Sequence, residues 1–314
     1  MNSRDPRVWT FGEPLVALVT EGRNRIEDAP ALQPYVAGAE LNVAIALTRL
    51  GVKVGYGTSI GIDPFGQLIK KVLRAEGVGT EFIVEDPIGA TGLLIKEWQG
   101  MSVEPAVHYI RKGSPASTLP IARWEEDLLK APWVHISGIT SMLSTYNQTA
   151  IYEIWTKLAG VRSIDLNVRF KLGGVDEWRR CMEPLCHDAD VIFGSGEEFS
   201  KLWDAQRAEV RQALNLRDDQ VVIGTEGHDG AWIDTHEGLI AMDAISTVVV
   251  DPVGAGDGFA AGVIAGRQWG WSWEQAAQLG IVIGASAVAV RGDYQGYPYR
   301  QEAMAWLENT WVSR

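Results

Sequence analysis

The feature that most constrains this chain is a rhythm, in which short β-branched runs alternate with helix-period stretches over most of its length. Trp133–Ile136, Ser163–Val168, Val191–Phe193, Val221–Gly224 and Thr247–Val250 read as strands, with Thr145–Ala159, Val175–Ala189, Glu197–Trp203 and Glu209–Leu216 as helices between them. Strands separated by helices pair through βαβ crossovers, which give a mostly parallel sheet covered on both faces. The expected class is therefore α/β, a doubly wound sheet flanked by helices. Its ligand belongs in the crevice beyond the carboxyl ends of the strands.

Two regions break the rhythm. Residues of about 13–36 are polar and turn-rich, with Pro14, Pro30 and Pro34. Residues of about 88–111 read as strands without helices: Gly92–Trp98, a glycine-containing turn, then Ala106–Arg111. These excursions are expected to pair as one small antiparallel β-sheet, either a lid over a single domain spanning 1–314 or a plain edge decoration. Leu94 and Ile110, alternating with polar neighbours, would be exposed on that sheet, and by fold analogy alone this would favour a homo-oligomer joined lid to lid.

Charge excludes some partners. Twenty-eight basic against forty acidic residues give a net charge of −12, which repels nucleic acid but leaves room for a small anion held by local arginines. Met1–Pro14 lacks an apolar core and no stretch approaches a membrane span, so the expectation is a cytoplasmic protein without a membrane partner. Cys181 and Cys186 lie five apart without a neighbouring ligand cluster, and His108, His135, His187 and His236 lack metal-ligand spacing. No metal ligand is expected from the chain itself.

The densest local signal is Asp251-Pro252-Val253-Gly254-Ala255-Gly256-Asp257-Gly258-Phe259-Ala260-Ala261-Gly262. Thr247–Val250 enters it and a small-residue helix, Ala260–Ala265, leaves it. Gly254 and Gly256 let peptide N–H groups approach an anion, and a helix mouth adds its dipole in favour of phosphate. Asp257 would repel phosphate there unless it has another task, such as taking the proton of an attacking hydroxyl. The plainer alternative is a glycine-rich turn with Asp257 as a helix cap. A Walker A loop is excluded because no Gly-Lys-Ser/Thr follows. A dinucleotide fingerprint is excluded by the G-x-G-x-G spacing late in the chain. Separately, Asp165, Asn167 and Arg169 alternate with period two, so a strand would aim all three at one face. Arg111 and Arg169 each offer a planar fork suited to carboxylate or phosphate.

Asp251–Asp257 resembles the second signature of the ribokinase (PfkB-type) carbohydrate kinases, D-T-x-G-A-G-D. Ala37-Gly38-Ala39-Glu40-Leu41-Asn42-Val43-Ala44 resembles their first, a Gly-Gly turn followed by an Asn on a helix. Order and separation match, and the resemblance runs from about Phe11 to Pro298. Gly12–Val16, Tyr109–Ser114, Asp165–Arg169 and Arg291–Gly296 narrow it to the 2-keto-3-deoxygluconate kinases.

The resemblance implies a ribokinase-like fold and ATP with Mg²⁺ as cofactors. Asp257 would be the base, with Gly254, Ala255 and Gly256 as the anion hole. Gly38, Ala39, Glu40, Leu41 and Asn42 would run along the sugar acid, Tyr109, Ile110 and Arg111 would meet it from the lid, and Arg169 and Asp293 would complete its site. Asn167, Val168 and Arg169 would adjoin the nucleotide, as would the loop Thr225, Glu226, Gly227, His228, Asp229 and Gly230. The sequence departs from the pattern in four places. Ala37 replaces a glycine, Leu94 replaces an aromatic hydroxyl toward the sugar, and the loop after Gly224 lacks its familiar Lys or Arg. The usual Asn-x-x-Glu reads Ser195-Gly196-Glu197-Glu198.

The implied activity is ATP-dependent phosphorylation of 2-keto-3-deoxygluconate at its terminal hydroxyl, with the galactonate epimer not distinguished. A kinase of a neutral sugar such as fructose or ribose is the alternative. A non-catalytic sugar-binding module would not need Asp257, and a dehydrogenase would need the missing fingerprint.

Overall fold

The computed structural model describes residues 7–22, 24–97 and 106–312, so the glycine-containing turn expected after Glu97 lies outside the described residues. Nine strands form the main sheet: β1 (Val8–Phe11), β4 (Val54–Gly61), β5 (Ile83–Asp86), β8 (Trp133–Ser137), β9 (Val161–Asp165), β10 (Val191–Ser195), β11 (Val221–Thr225), β12 (Ala231–Thr235) and β13 (Gly238–Met242). Their order is β13-β12-β11-β10-β9-β8-β1-β4-β5. All neighbours are parallel except the β11–β12 and β12–β13 pairs at one edge. Trp133–Ser137 is buried at every position, as a central strand covered on both faces requires. Register sets the carboxyl ends level: Phe193 faces Asp165 and Ser195 faces Thr225.

A second sheet joins β2 (Leu15–Thr20), β3 (Leu32–Ala37), β6 (Leu93–Glu97) and β7 (Ala106–Ile110) in the order β3-β2-β6-β7. It is mixed rather than antiparallel, because β2 and β6 pair parallel. The connection between them runs through β4 and β5 with their helices, long enough to return the chain in the same direction. Leu18, Val16, Val36 and Leu93 pack on the main core, while Leu15, Ala17, Val19, Ala37 and Leu94 cluster with Tyr35, Val107 and Tyr109 on the other face. The expected exposure of Leu94 is therefore wrong: only Ile110, 57% exposed, faces solvent.

Two other expectations fail for physical reasons. Thr247–Val250 forms no strand; its edge of the sheet is taken by β13. The three valines stay open to solvent, and β-branched residues favour a strand only where a pleated, half-buried surface receives them. The strand expected to reach Val168 stops at Asp165, because Asn167 turns left-handed with φ of 42°. The helix Ala255–Gln268 packs on Trp273–Val288 through glycines, since a Cβ at Gly262 would come within 2.7 Å of the Gly280 Cα. Among the described residues no helix is long and apolar enough to cross a membrane.

Candidate active site

A cavity of about 670 Å³ opens where β9, β10 and β11 end, and the small sheet supplies Leu15, Leu94, Lys96, Val107 and Tyr109 to its wall. Asp257 enters it from the first turn of Ala255–Gln268. Gly254 starts that helix with φ of +82°, and a Cβ there would stand 1.9 Å from the Asp293 carbonyl oxygen, so glycine is required twice over. Helical bonding begins with the Gly258 N–H donating to the Gly254 carbonyl at 2.9 Å. The N–H groups of Ala255, Gly256 and Asp257 precede it, as in any first helical turn. Ala255 donates to the Pro252 carbonyl only at 3.4 Å. This is a helix mouth built to receive an anion.

The Asp257 carboxylate accepts from two amides, Asn42 Nδ2 at 2.8 Å and Asn167 Nδ2 at 3.1 Å. Asn42 reaches it from the helix Ala39–Arg49, and its Oδ1 is buried without a partner among the described residues, an acceptor that a ligand hydroxyl would satisfy. Burial pushes the Asp257 carboxyl up to about 7, against the pull of the Asn42 amide and the Arg169 guanidinium. Asp165 is raised well above the carboxylate range by burial and by the neighbouring Glu198 and Asp257 charges. A carboxylate poised near neutrality, held by donors and facing a cavity, suits a general base.

Two of the cavity's cations are ion-paired. Arg111 Nη1 lies 3.0 Å from Glu13 Oε2, with its guanidinium 4.4 Å over the Tyr109 ring. Ser114 donates its hydroxyl to the other Glu13 oxygen. Lys96 Nζ lies 3.0 Å from Asp293 Oδ1, with both side chains buried. Burial alone would lower Lys96, but the Asp293 and Asp251 carboxylates outweigh it and raise the ammonium's pKa. Arg169 differs: it donates to the Val168 carbonyl at 2.9 Å and has no ion pair among the described residues. Lys171 donates to the Val107 carbonyl of the small sheet at 2.6 Å.

Most of the residues singled out in the sequence meet here. Gly38, Ala39, Asn42, Tyr109, Arg111, Asp165, Asn167, Val168, Arg169, Thr225, Gly254, Gly256, Asp257 and Asp293 line the cavity. Others do not contribute as expected. Glu40 is at the wall, but its Oε1 accepts from the Ser137 N–H and the Ser137 and Thr140 hydroxyls, so it braces β8. Leu41 is in the core, and Ile110 points away because neighbouring strand residues alternate faces. Ala255 lies outside the lining. Beyond Thr225 the loop turns off the cavity. Glu226 accepts from Arg207 and Trp232, Gly227–Asp229 is an exposed turn ending at Gly230, and the His228 side chain is 94% exposed. Glu198 is occupied by the N–H groups of Val168 (2.5 Å) and Ser195 (2.7 Å), so it joins the turn after β9 to the helix Gly196–Trp203 that follows β10.

Sequence reasoning missed Lys96, Glu13 and Lys171. Lys96 was within reach: it sits two residues after Leu94 and so shares its strand face. Among the described residues no three His, Cys, Asp or Glu side chains come together to hold a metal ion.

Comparison with known proteins agrees with this architecture. The model of the "pfkB family carbohydrate kinase" matches residues 9–300. A 2-dehydro-3-deoxygluconokinase of Bacillus subtilis is 32% identical over 95% of this chain and 94% of its own length. A fructokinase of Vibrio alginolyticus is 26% identical over 96% and 99%. An Escherichia coli structure solved in complex with ATP and Mg²⁺ superposes with a TM-score of 0.86 at 26% identity, covering 97% of this chain and 99% of that one. The match takes in both sheets and the Asp257 turn, and the chain is a member of the pfkB family of carbohydrate kinases.

Proposed function

We propose that this kinase transfers the γ-phosphoryl group of ATP to the terminal hydroxyl of 2-keto-3-deoxygluconate, the chain acting as one domain with the small sheet as its lid. The observation that carries the reading is Asp257: a buried carboxylate near neutrality, clamped by two amides at the mouth of a glycine-started helix. Asp257 takes the proton of the attacking hydroxyl. The N–H groups of Ala255 and Gly256 and the helix mouth stabilise charge on the transferring group. ATP supplies that group. Among the described residues no cluster of three His, Cys, Asp or Glu side chains would hold Mg²⁺, so it would be carried on the nucleotide's own phosphates and neutralise part of their charge. Asn42 Oδ1 and the Gly38 backbone adjoin the sugar hydroxyls, with Tyr109, Arg111 and Arg169 toward the carboxylate. A closed lid keeps water from the phosphoryl group.

A neutral sugar is the competing reading, and one observation favours it: Glu13 already engages Arg111, while Leu94 brings no hydroxyl to the wall. ADP release with ATP and Mg²⁺ separates the two, using 2-keto-3-deoxygluconate, its galactonate epimer, fructose, ribose and no sugar. Turnover restricted to the keto-deoxy acids is expected. Turnover with fructose or ribose instead would discard the sugar acid and keep the kinase.

A further inference from the structure

We infer that Tyr297 is a positioning residue for the anion-binding turn and sets the direction of the Ala255 N–H. The inference rests on the phosphoryl-transfer reading but not on the identity of the sugar. Tyr297 is 3% exposed, and its hydroxyl donates to the Gly254 carbonyl at 2.6 Å. That carbonyl and the Ala255 N–H belong to one planar peptide unit and point in opposite directions, so holding the oxygen also fixes the N–H at the start of the helix. Only the long contact to the Pro252 carbonyl competes for this donor. The Gly258 N–H donates to the same carbonyl at 2.9 Å, so the Tyr297 hydroxyl is a second hold on it, placed where a left-handed glycine leaves the backbone most free.

Tyr297 is itself braced. Its ring lies against Gly258, where a Cβ would come within 2.6 Å. Its carbonyl accepts from Arg49 Nη1 at 2.6 Å, and the same nitrogen donates to the Tyr294 carbonyl at 3.1 Å. Arg49 is in turn fixed by Glu76, at 2.8 Å and 2.9 Å. Arg49 ends the helix that carries Asn42, and the loop it grips carries Asp293. One half-buried guanidinium therefore holds the partner of the base and the brace of the anion hole in a single frame. Burial and the nearby Asp257 and Asp293 carboxylates keep the Tyr297 phenol protonated, as a donor must be.

The test is Tyr297→Phe, which removes the hydroxyl and leaves the ring on Gly258. With whichever sugar the wild type phosphorylates, kcat should fall about tenfold, the loss of one donated hydrogen bond, with the sugar KM within about twofold. Arg49→Lys should lower kcat in the same direction. A second readout needs no sugar: calorimetry with Mg²⁺ should show the preference for a non-hydrolysable ATP analogue over ADP reduced several-fold in Tyr297→Phe, with ADP affinity unchanged. A lower unfolding temperature with kcat and nucleotide preference both intact would make Tyr297 a packing residue only and overturn the inference. Wild-type turnover of a neutral sugar would sink the substrate reading while leaving this comparison in force.

Discussion

Replacing Asp257 by Asn should abolish turnover and stabilise the fold at alkaline pH, and the two effects together identify a buried base. Asn keeps the shape, and Asn42, whose Oδ1 has no partner, can turn its amide to accept from the new side chain. Turnover should fall at least about 100-fold, the usual contribution of a general base. The stability effect follows from linkage. The Asp257 carboxyl is raised from 3.8 to about 7 on folding, so the unfolded chain gives up its proton first as pH rises. Wild-type stability from this group is therefore full below about pH 4 and lost by about pH 7, a difference of about 4 kcal/mol. The Asn variant escapes that loss. In a chain of 314 residues this corresponds to about 6 °C in Tm. Thermal unfolding of both proteins at pH 4, 6 and 8 should show nearly equal midpoints at pH 4 and a gap opening toward pH 8. A gap independent of pH would refute the raised carboxyl, and retained turnover would remove Asp257 as the base.

The same carboxyl predicts the pH–rate profile: kcat/KM should rise about tenfold per unit up to about pH 7 and level off above, a limb that Asp257→Asn lacks. Arg111→Ala should raise the KM of a sugar acid more than tenfold but change that of a neutral sugar little. Because it strands the buried Glu13, it should also cost about 3–5 kcal/mol of stability, recovered in the Arg111→Ala/Glu13→Gln double variant as measured by denaturant unfolding. Lys96→Met should likewise strand Asp293, lowering Tm and raising the sugar KM; adding Asp293→Asn should restore Tm but not KM.

What was legible in the sequence follows from the range of the interactions involved. Trp133–Ile136 and Val221–Gly224 announced central strands because burial on both faces demands unbroken apolar runs. The Gly254–Asp257 turn was legible because its chemistry is local: glycines, a helix start and a carboxylate within four residues. Thr247–Val250 carries the same β-branched signal, and only the tertiary fact that β13 occupies the edge denies it a partner. The ion pairs were out of reach for the same reason. Lys96 and Asp293 are 197 residues apart and Arg111 and Glu13 are 98 apart, and no local pattern tells which buried charges meet. Glu40 shows a further limit: it lies inside a family signature and at the cavity wall, yet no local pattern tells that its Oε1 accepts from Ser137 and Thr140.

Those pairings bear on where an acidic substrate would place its charge. Arg111 with Glu13 and Lys96 with Asp293 are each close to neutral, so neither presents a full positive charge to an incoming carboxylate. Glu198 is likewise satisfied by two peptide N–H groups. What remains is Lys171, bonded to the Val107 carbonyl, and Arg169, bonded to a carbonyl and close to two carboxylates that burial has raised, Asp165 and Asp257. Bringing an anion against Arg169 competes with those two aspartates for one guanidinium, and protonation of Asp165 lessens the competition. Burial pushes both carboxyls upward, which weakens their hold on the guanidinium. An acidic substrate would add a third carboxylate against Arg169, whereas a neutral one would leave the guanidinium to Asp165 and Asp257.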